Sequence, residues 1–337
     1  MKSPTPLKFL MPGWFTLVMG LSGLALAWRS AEPALGEMAV GVALLLGVLA
    51  AALFLLLAAA SLLRWQRYPK ALADDLNHPV RHAFVAAVPV SMLLLAAVAL
   101  SLDLGGWAVE ALWWAGSLVE LLTMVWVMGR WLAPQSGASA QAGALWPGVT
   151  PVLFIAVVGN VVAVFAGVPL GHPVWSAAQF GIGVLFWPVT LALVMARRLE
   201  HRPLPDRLFP TWFITVAPPS LVGLALLQFQ APLLLVQSTW GVALFSLLWV
   251  GSQLRRLQGQ AFGLPFWALS FPLAAFTTLT LRLGQAHGLA GLQTAGVLLL
   301  AAVSLVVLGL CLATWRGLRD GSLLAPEPVA TIVPVSR

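Results

Sequence analysis

Charge is scarce in this sequence. Asp, Glu, Lys and Arg make up 9% of its 337 residues, and 60% are hydrophobic. Soluble domains carry roughly 25% charged residues. The mean hydropathy is +0.94. A water-facing surface cannot be built from so few charges, so a soluble globular fold is excluded and a polytopic membrane protein is indicated. Cysteine is scarcer still. Cys311 is the one present, which leaves no intrachain disulfide and no cysteine-based metal site. The five histidines (His78, His82, His172, His201 and His287) are scattered, with no HExxH spacing. The apolar runs hold no paired carboxylates and no nucleophile–base set, so nothing calls for an enzyme, a metal or a cofactor.

What charge there is leans positive, with 18 Lys and Arg against 11 Asp and Glu, a net +7. In a soluble chain that balance would point to nucleic acid. Here the cations fall between apolar runs, where they report topology instead. Ten runs are long enough to cross roughly 30 Å of hydrocarbon: 12–29, 38–63, 82–102, 107–129, 148–168, 173–196, 209–229, 232–254, 264–284 and 291–315. The first follows Lys2 and Lys8 but ends on Trp28 and Arg29 where a signal peptide needs small residues, so it is read as a retained helix. With ten spans, 16 of the 18 Lys and Arg fall on one side together with both ends of the chain. Only Arg29 and Arg282 fall on the other. The expectation is therefore an all-α membrane domain over residues 1–319 with both termini cytoplasmic, followed by a disordered tail at 320–337. A small-residue linker is expected at 133–144.

The spans alternate in character. The odd ones contain or begin with proline: Pro12, Pro89, Pro151, Pro218 with Pro219, and Pro272, recurring every 54 to 77 residues by subtraction. The even ones are smooth apolar rods apart from Pro188. That pattern reads as a helical hairpin used five times, with bent, hydroxyl-bearing helices inside and smooth ones against lipid. The plainer reading is that membrane helices simply tolerate proline.

The run 262–284 concentrates these features. Pro272 is expected to bend it and to free the carbonyl of Ala268, and Phe271 stands directly before it. The odd spans carry no ionisable residue between their ends, so a pathway among them would be lined by hydroxyls and amides: Thr16, Ser91, Asn160, Thr215, Ser220, Ser270 and Thr278. Such groups suit a conducted anion, which must bind and also leave. The cytoplasmic cations would raise anion concentration at the inner mouth, or would only set topology. Glu120 is the one acid well inside a span, the fourth. It is either a functional, coupling acid or a structural one.

Four stretches carry a family resemblance. They are Asn77-His78-Pro79 through Phe84 to Pro89, Val157-Val158-Gly159-Asn160 with Gly167, Trp212 through Ala217-Pro218-Pro219-Ser220, and Trp267-Ala268-Leu269-Ser270-Phe271-Pro272. Gly13-Trp14-Phe15 to Gly20 fits more loosely. Together they resemble the TehA tellurite-resistance and plant slow-type anion channel family, whose relatives include C4-dicarboxylate and sulfite transporters. The resemblance implies ten transmembrane helices, as five helical hairpins around a central pore with pseudo-fivefold symmetry. It also implies a homotrimer in a bacterial inner membrane, with the phenylalanine matching Phe271 closing the pore to small anions. Thr16, Val18 and Ala156 depart from the family pattern of glycine, proline and proline. Two functions follow: an anion channel or channel-like transporter gated by Phe271, or a proton-coupled carrier of tellurite, sulfite or dicarboxylates.

Overall fold

The structure, a computed structural model, describes residues 6–132, 146–200 and 204–325. The linker at 133–144, most of the tail, and Lys2, His201, Arg202 and Arg337 lie outside the described residues. Among the described residues every regular element is helical. In chain order these are α1 (Thr16–Ser30), the single turn α2 (Glu32–Leu35), α3 (Glu37–Arg67), α4 (Pro69–Asn77), α5 (Ala87–Ser101), α6 (Trp107–Leu132), α7 (Phe154–Gly167), α8 (Pro173–Glu200), α9 (Ala217–Gln228), α10 (Leu233–Gly251), α11 (Ser270–His287) and α12 (Ala290–Arg319).

Eight helical stretches are long and apolar enough to cross a membrane. They match the expected spans apart from the first and fifth, 12–29 and 148–168. Those form shorter α-helices, α1 and α7, each entered through a 3-10 turn. Both are nearly sealed: 12 of 15 residues are buried in α1 and 13 of 14 in α7. Burial divides the remainder. In their most apolar windows the stretches ending in α5, α9 and α11 are 67%, 78% and 78% buried, whereas α3, α6, α8, α10 and α12 are between 17% and 39% buried. Helices that are apolar all round yet exposed must face hydrocarbon. So α1, α5, α7, α9 and α11 form the interior, and the others its wrapping.

Each interior helix packs on the long helix that follows it, α1 on α3, α5 on α6, α7 on α8, α9 on α10 and α11 on α12. Laterally α1 packs on α5, α5 on α7, α7 on α9, α9 on α11, and α11 returns to α1. The five short connections inside these pairs all pass through positive φ: at Gly36, at Asp103 and Gly106, at Gly171, at Gln230 and at Gly288. Glycine holds that conformation without steric cost; Asp103 and Gln230 do not.

The prolines act differently from expectation. All five interior helices begin as a 3-10 turn, over Pro12–Phe15, Arg81–Ala86, Pro151–Leu153, Asp206–Val216 and Leu264–Leu269, before turning α-helical. Pro89, Pro218, Pro219 and Pro272 sit in the first α-helical turn just after the switch. A first-turn N–H has no partner within its own α-helix, so proline there removes no interior bond. The expected mid-helix kink at Pro272 is thus a change of helix type. Of the α-helices, α8 is the one with proline in its interior, Pro188.

Helix α4 has no counterpart among the expected spans. It is pinned by a buried ion-pair network, in which Asp75 accepts from Arg64 at 2.6 Å and from Arg81 at 2.8 Å. Arg64 also donates to the carbonyls of Lys8 and Ala71. Likewise Arg130 donates to Leu76 O and Arg197 to Val149 O. These cations therefore satisfy helix-end carbonyls, a role beyond setting topology. Asp75→Ala leaves Arg64 buried without its carboxylate. The expected loss is about 3–5 kcal/mol of stability, checked by denaturant unfolding in detergent; a loss under about 1 kcal/mol would mark the network as dispensable.

Candidate functional site

The α11 stripe that faces the interior follows from helical spacing. Phe271, Ala275, Thr278, Arg282 and Gln285 recur three or four residues apart, on one face. With Gly23, Leu26 and Ser30 of α1, and Leu221, Leu224 and Gln228 of α9, they enclose a cavity of about 680 Å³. Leu94, Ala97 and Ser101 of α5 and Phe165 of α7 complete it. A second space of about 30 Å³ is lined by Phe84 and Trp267 of the 3-10 turns and by Thr16, Met19, Ile155 and Val158 in the first turns of α1 and α7. Phe271 lines both. Phe271 is 5% exposed.

Two glycines of α1 allow that position. A Cβ on Gly23 would stand 2.8 Å from Phe271 Cδ2, and one on Gly20 would collide with the Ser270 hydroxyl and reach 3.1 Å from the Trp267 ring. Absence of side chain at 20 and 23 thus brings α1 against the start of α11. Trp267 is anchored to α12 by donating from Nε1 to the Thr314 hydroxyl at 2.9 Å.

Thr16 and Thr278 do line the cavities, one each. Ser91, Asn160, Thr215, Ser220 and Ser270 are buried and line neither. The hydroxyls also have no proton to spare. Thr16 donates to Gly13 O, Thr215 to Trp212 O, Ser220 to Val216 O, Ser270 to Trp267 O and Thr278 to Ala274 O. Ser91 bonds Ala87 O and Phe15 O, and Asn160 Nδ2 donates to Ala156 O. A hydroxyl carries one donor, so these hydroxyls satisfy helix carbonyls, whereas the Asn160 amide keeps a second hydrogen.

Glu120 lies on α6, is 0% exposed and lines neither cavity. Neither carboxylate oxygen has a hydrogen-bond partner among the described residues. It presses on α7 at Gly159, where a Cβ would collide with it.

The site residue that sequence reading missed is Arg282. Counted there only as an off-side cation, although it lies inside the run 264–284, it faces the large cavity. Its Nε donates to the Ser30 hydroxyl at 3.2 Å, and no carboxylate pairs with it among the described residues. The available signal was its register, four residues beyond Thr278 and eleven beyond Phe271 on one helical face.

Five buried helices closing on each other around a cavity, with one phenylalanine in the lining of two spaces, can be compared with known proteins. Residues 10–315 match the family described as voltage-dependent anion channel, SLAC1. The chain belongs to that family. It is 26% identical to an uncharacterized transporter of Methanocaldococcus jannaschii, over 80% of this chain and 82% of that protein. It is 25% identical to a tellurite resistance protein TehA homolog of Haemophilus influenzae, over 79% of each. It is 23% identical to an S-type anion channel of Arabidopsis thaliana over 80% of this chain, but spans about half (51%) of that plant protein. This SLAC1-family chain is thus a multi-pass membrane protein of an anion channel and transporter family.

Alanine at Gly20 and at Gly41 tests the packing of α1 on α11. Nothing lies within 4 Å of a Cβ built on Gly41, and both substitutions gain the same helix propensity. Gly20→Ala is expected to be the less stable by about 1–3 kcal/mol in detergent unfolding; equal stabilities would remove the close approach.

Proposed function

We propose that this protein is an anion channel or channel-like transporter whose central pore is closed by Phe271. The observation that carries the reading is that one aromatic ring borders both the large cavity and the small one. An apolar constriction of this kind holds back ions by denying them hydration. In this reading all ten expected spans cross the membrane, as five hairpins about a pseudo-fivefold axis. The matched packing of each interior helix with its successor supports it, as do the five recurrent 3-10 entries. Both chain ends face the cytoplasm, because 16 of 18 Lys and Arg then lie inside. The protein sits in the plasma membrane, as a homotrimer by likeness to the family, among lipid and small inorganic or organic anions.

Removing the ring tests the gate. Phe271→Ala, reconstituted in planar bilayers, is expected to raise chloride or nitrate current several-fold over wild type. A folded variant with unchanged current would refute gating by Phe271.

The second reading, a proton-coupled carrier, is favoured by one observation, the fully buried and unpartnered Glu120 carboxylate. Its place outside both cavities argues for the channel. Glu120→Gln is expected to leave anion flux and its response to a pH gradient unchanged. Loss of pH-driven uptake in liposomes carrying that variant would instead establish the carrier.

A further inference from the structure

We propose that Arg282, together with Gln228 and Gln285, forms a station in the large cavity that holds a singly charged small anion. It rests on the reading of this cavity as part of the anion pathway, and adds where an anion pauses and what holds it.

The argument is an account of donors. Hydroxyls lining the cavity are committed: Thr278 donates to Ala274 O and Ser101 to Val98 O. The Ser30 hydroxyl is the exception: it accepts from Arg282 Nε and keeps its own proton, while its carbonyl accepts from Gln285 Nε2 at 2.7 Å. Three sources of N–H remain. The two terminal nitrogens of the Arg282 guanidinium make no hydrogen bond among the described residues, and neither does the Gln228 side chain. Gln285 has a second amide hydrogen, since one bond uses one of two. All three residues line the same cavity.

Charge points the same way. The neighbouring cation, Arg29, is paired with Glu32 and also donates to Ser101 O. Glu110, on α6, pairs with His172. Arg282 has no such partner, and its Nε bond to Ser30 aims it without neutralising it. The rest of the wall is mostly apolar, with Leu26, Leu94 and Leu221 among it. Such a wall lowers the local dielectric and strengthens the pull of the one free charge. One uncompensated cation balances one negative charge. A second charge on the ligand would meet only neutral donors, so the station suits chloride or nitrate above sulfate.

Chloride NMR line broadening on the purified full-length protein in detergent reads occupancy directly, without conduction. Nitrate is expected to compete the broadening away, and sulfate at matched ionic strength is not. Arg282→Gln is expected to weaken binding at least about tenfold, the size of one lost hydrogen bond to a charged group. Arg282→Lys should retain binding. Unchanged broadening in Arg282→Gln, none in wild type, or displacement by sulfate in preference to nitrate would each overturn the station. Should Arg282→Gln fail to fold, Gln228→Leu removes a side chain that makes no hydrogen bond among the described residues. Several-fold weaker chloride binding there supports the station, and unchanged binding overturns it. Chloride held by wild type while Phe271→Ala fails to conduct would keep the station and remove the pathway reading. Conduction by Phe271→Ala in a protein that holds no chloride would do the reverse.

Discussion

In hydrocarbon no water is available to an unpaired carbonyl, amide or hydroxyl, and each one left open costs several kcal/mol. That constraint organises the molecule. The interior helices change from 3-10 to α-helix near their prolines, so a residue lacking N–H stands where an α-helix has no use for one. Buried Ser and Thr side chains turn back onto carbonyls of their own helices. Arginines at the helix ends reach carbonyls that no turn can satisfy. The backbone is largely self-sufficient, which is why an interior that carries many hydroxyls is still poor in free donors.

Against that background the exceptions carry meaning. Glu120 is buried with both oxygens open, wedged against a glycine on the adjoining helix. Arg282 is an exception of another sort, a cation facing open space with its forward nitrogens unused. Only the second opens onto a cavity. In the proposed pathway, attraction for an anion rests on a guanidinium and side-chain amides facing the large cavity, whereas the small space is lined mainly by apolar and aromatic groups. Phe271 and Arg282 stand eleven residues apart on one face of α11.

Glycine does for the small space what proline does for the helix starts. Gly20 and Gly23 let α1 lie against Ser270 and Phe271, so that the ring has little room to move toward α1. The same device recurs at Gly167 against Trp113 and Ser176, and at Gly296 against Leu281. Small residues permit close approach where lipid gives no hydrophobic drive to press helices together.

Span positions were legible in the sequence because hydropathy and cation placement act through composition over about 20 residues, and composition survives any arrangement in space. The alternation of buried and exposed helices was legible too, in the prolines and hydroxyls of the odd spans. What a proline or hydroxyl does there was not legible. Pro272 begins an α-helix instead of breaking one, and Ser220 or Ser270 looks inward to a carbonyl instead of outward to a path. Those outcomes depend on which groups are left without partners once five helices have closed on one another. By itself the sequence determined a charge-poor, all-helical multi-pass membrane chain with an aromatic before its last inner proline. Only the tertiary structure decided that Phe271 borders two cavities and that Arg282, an off-side cation in the linear reading, faces the larger one. A cavity is the space left between helices, and no single helix encodes it.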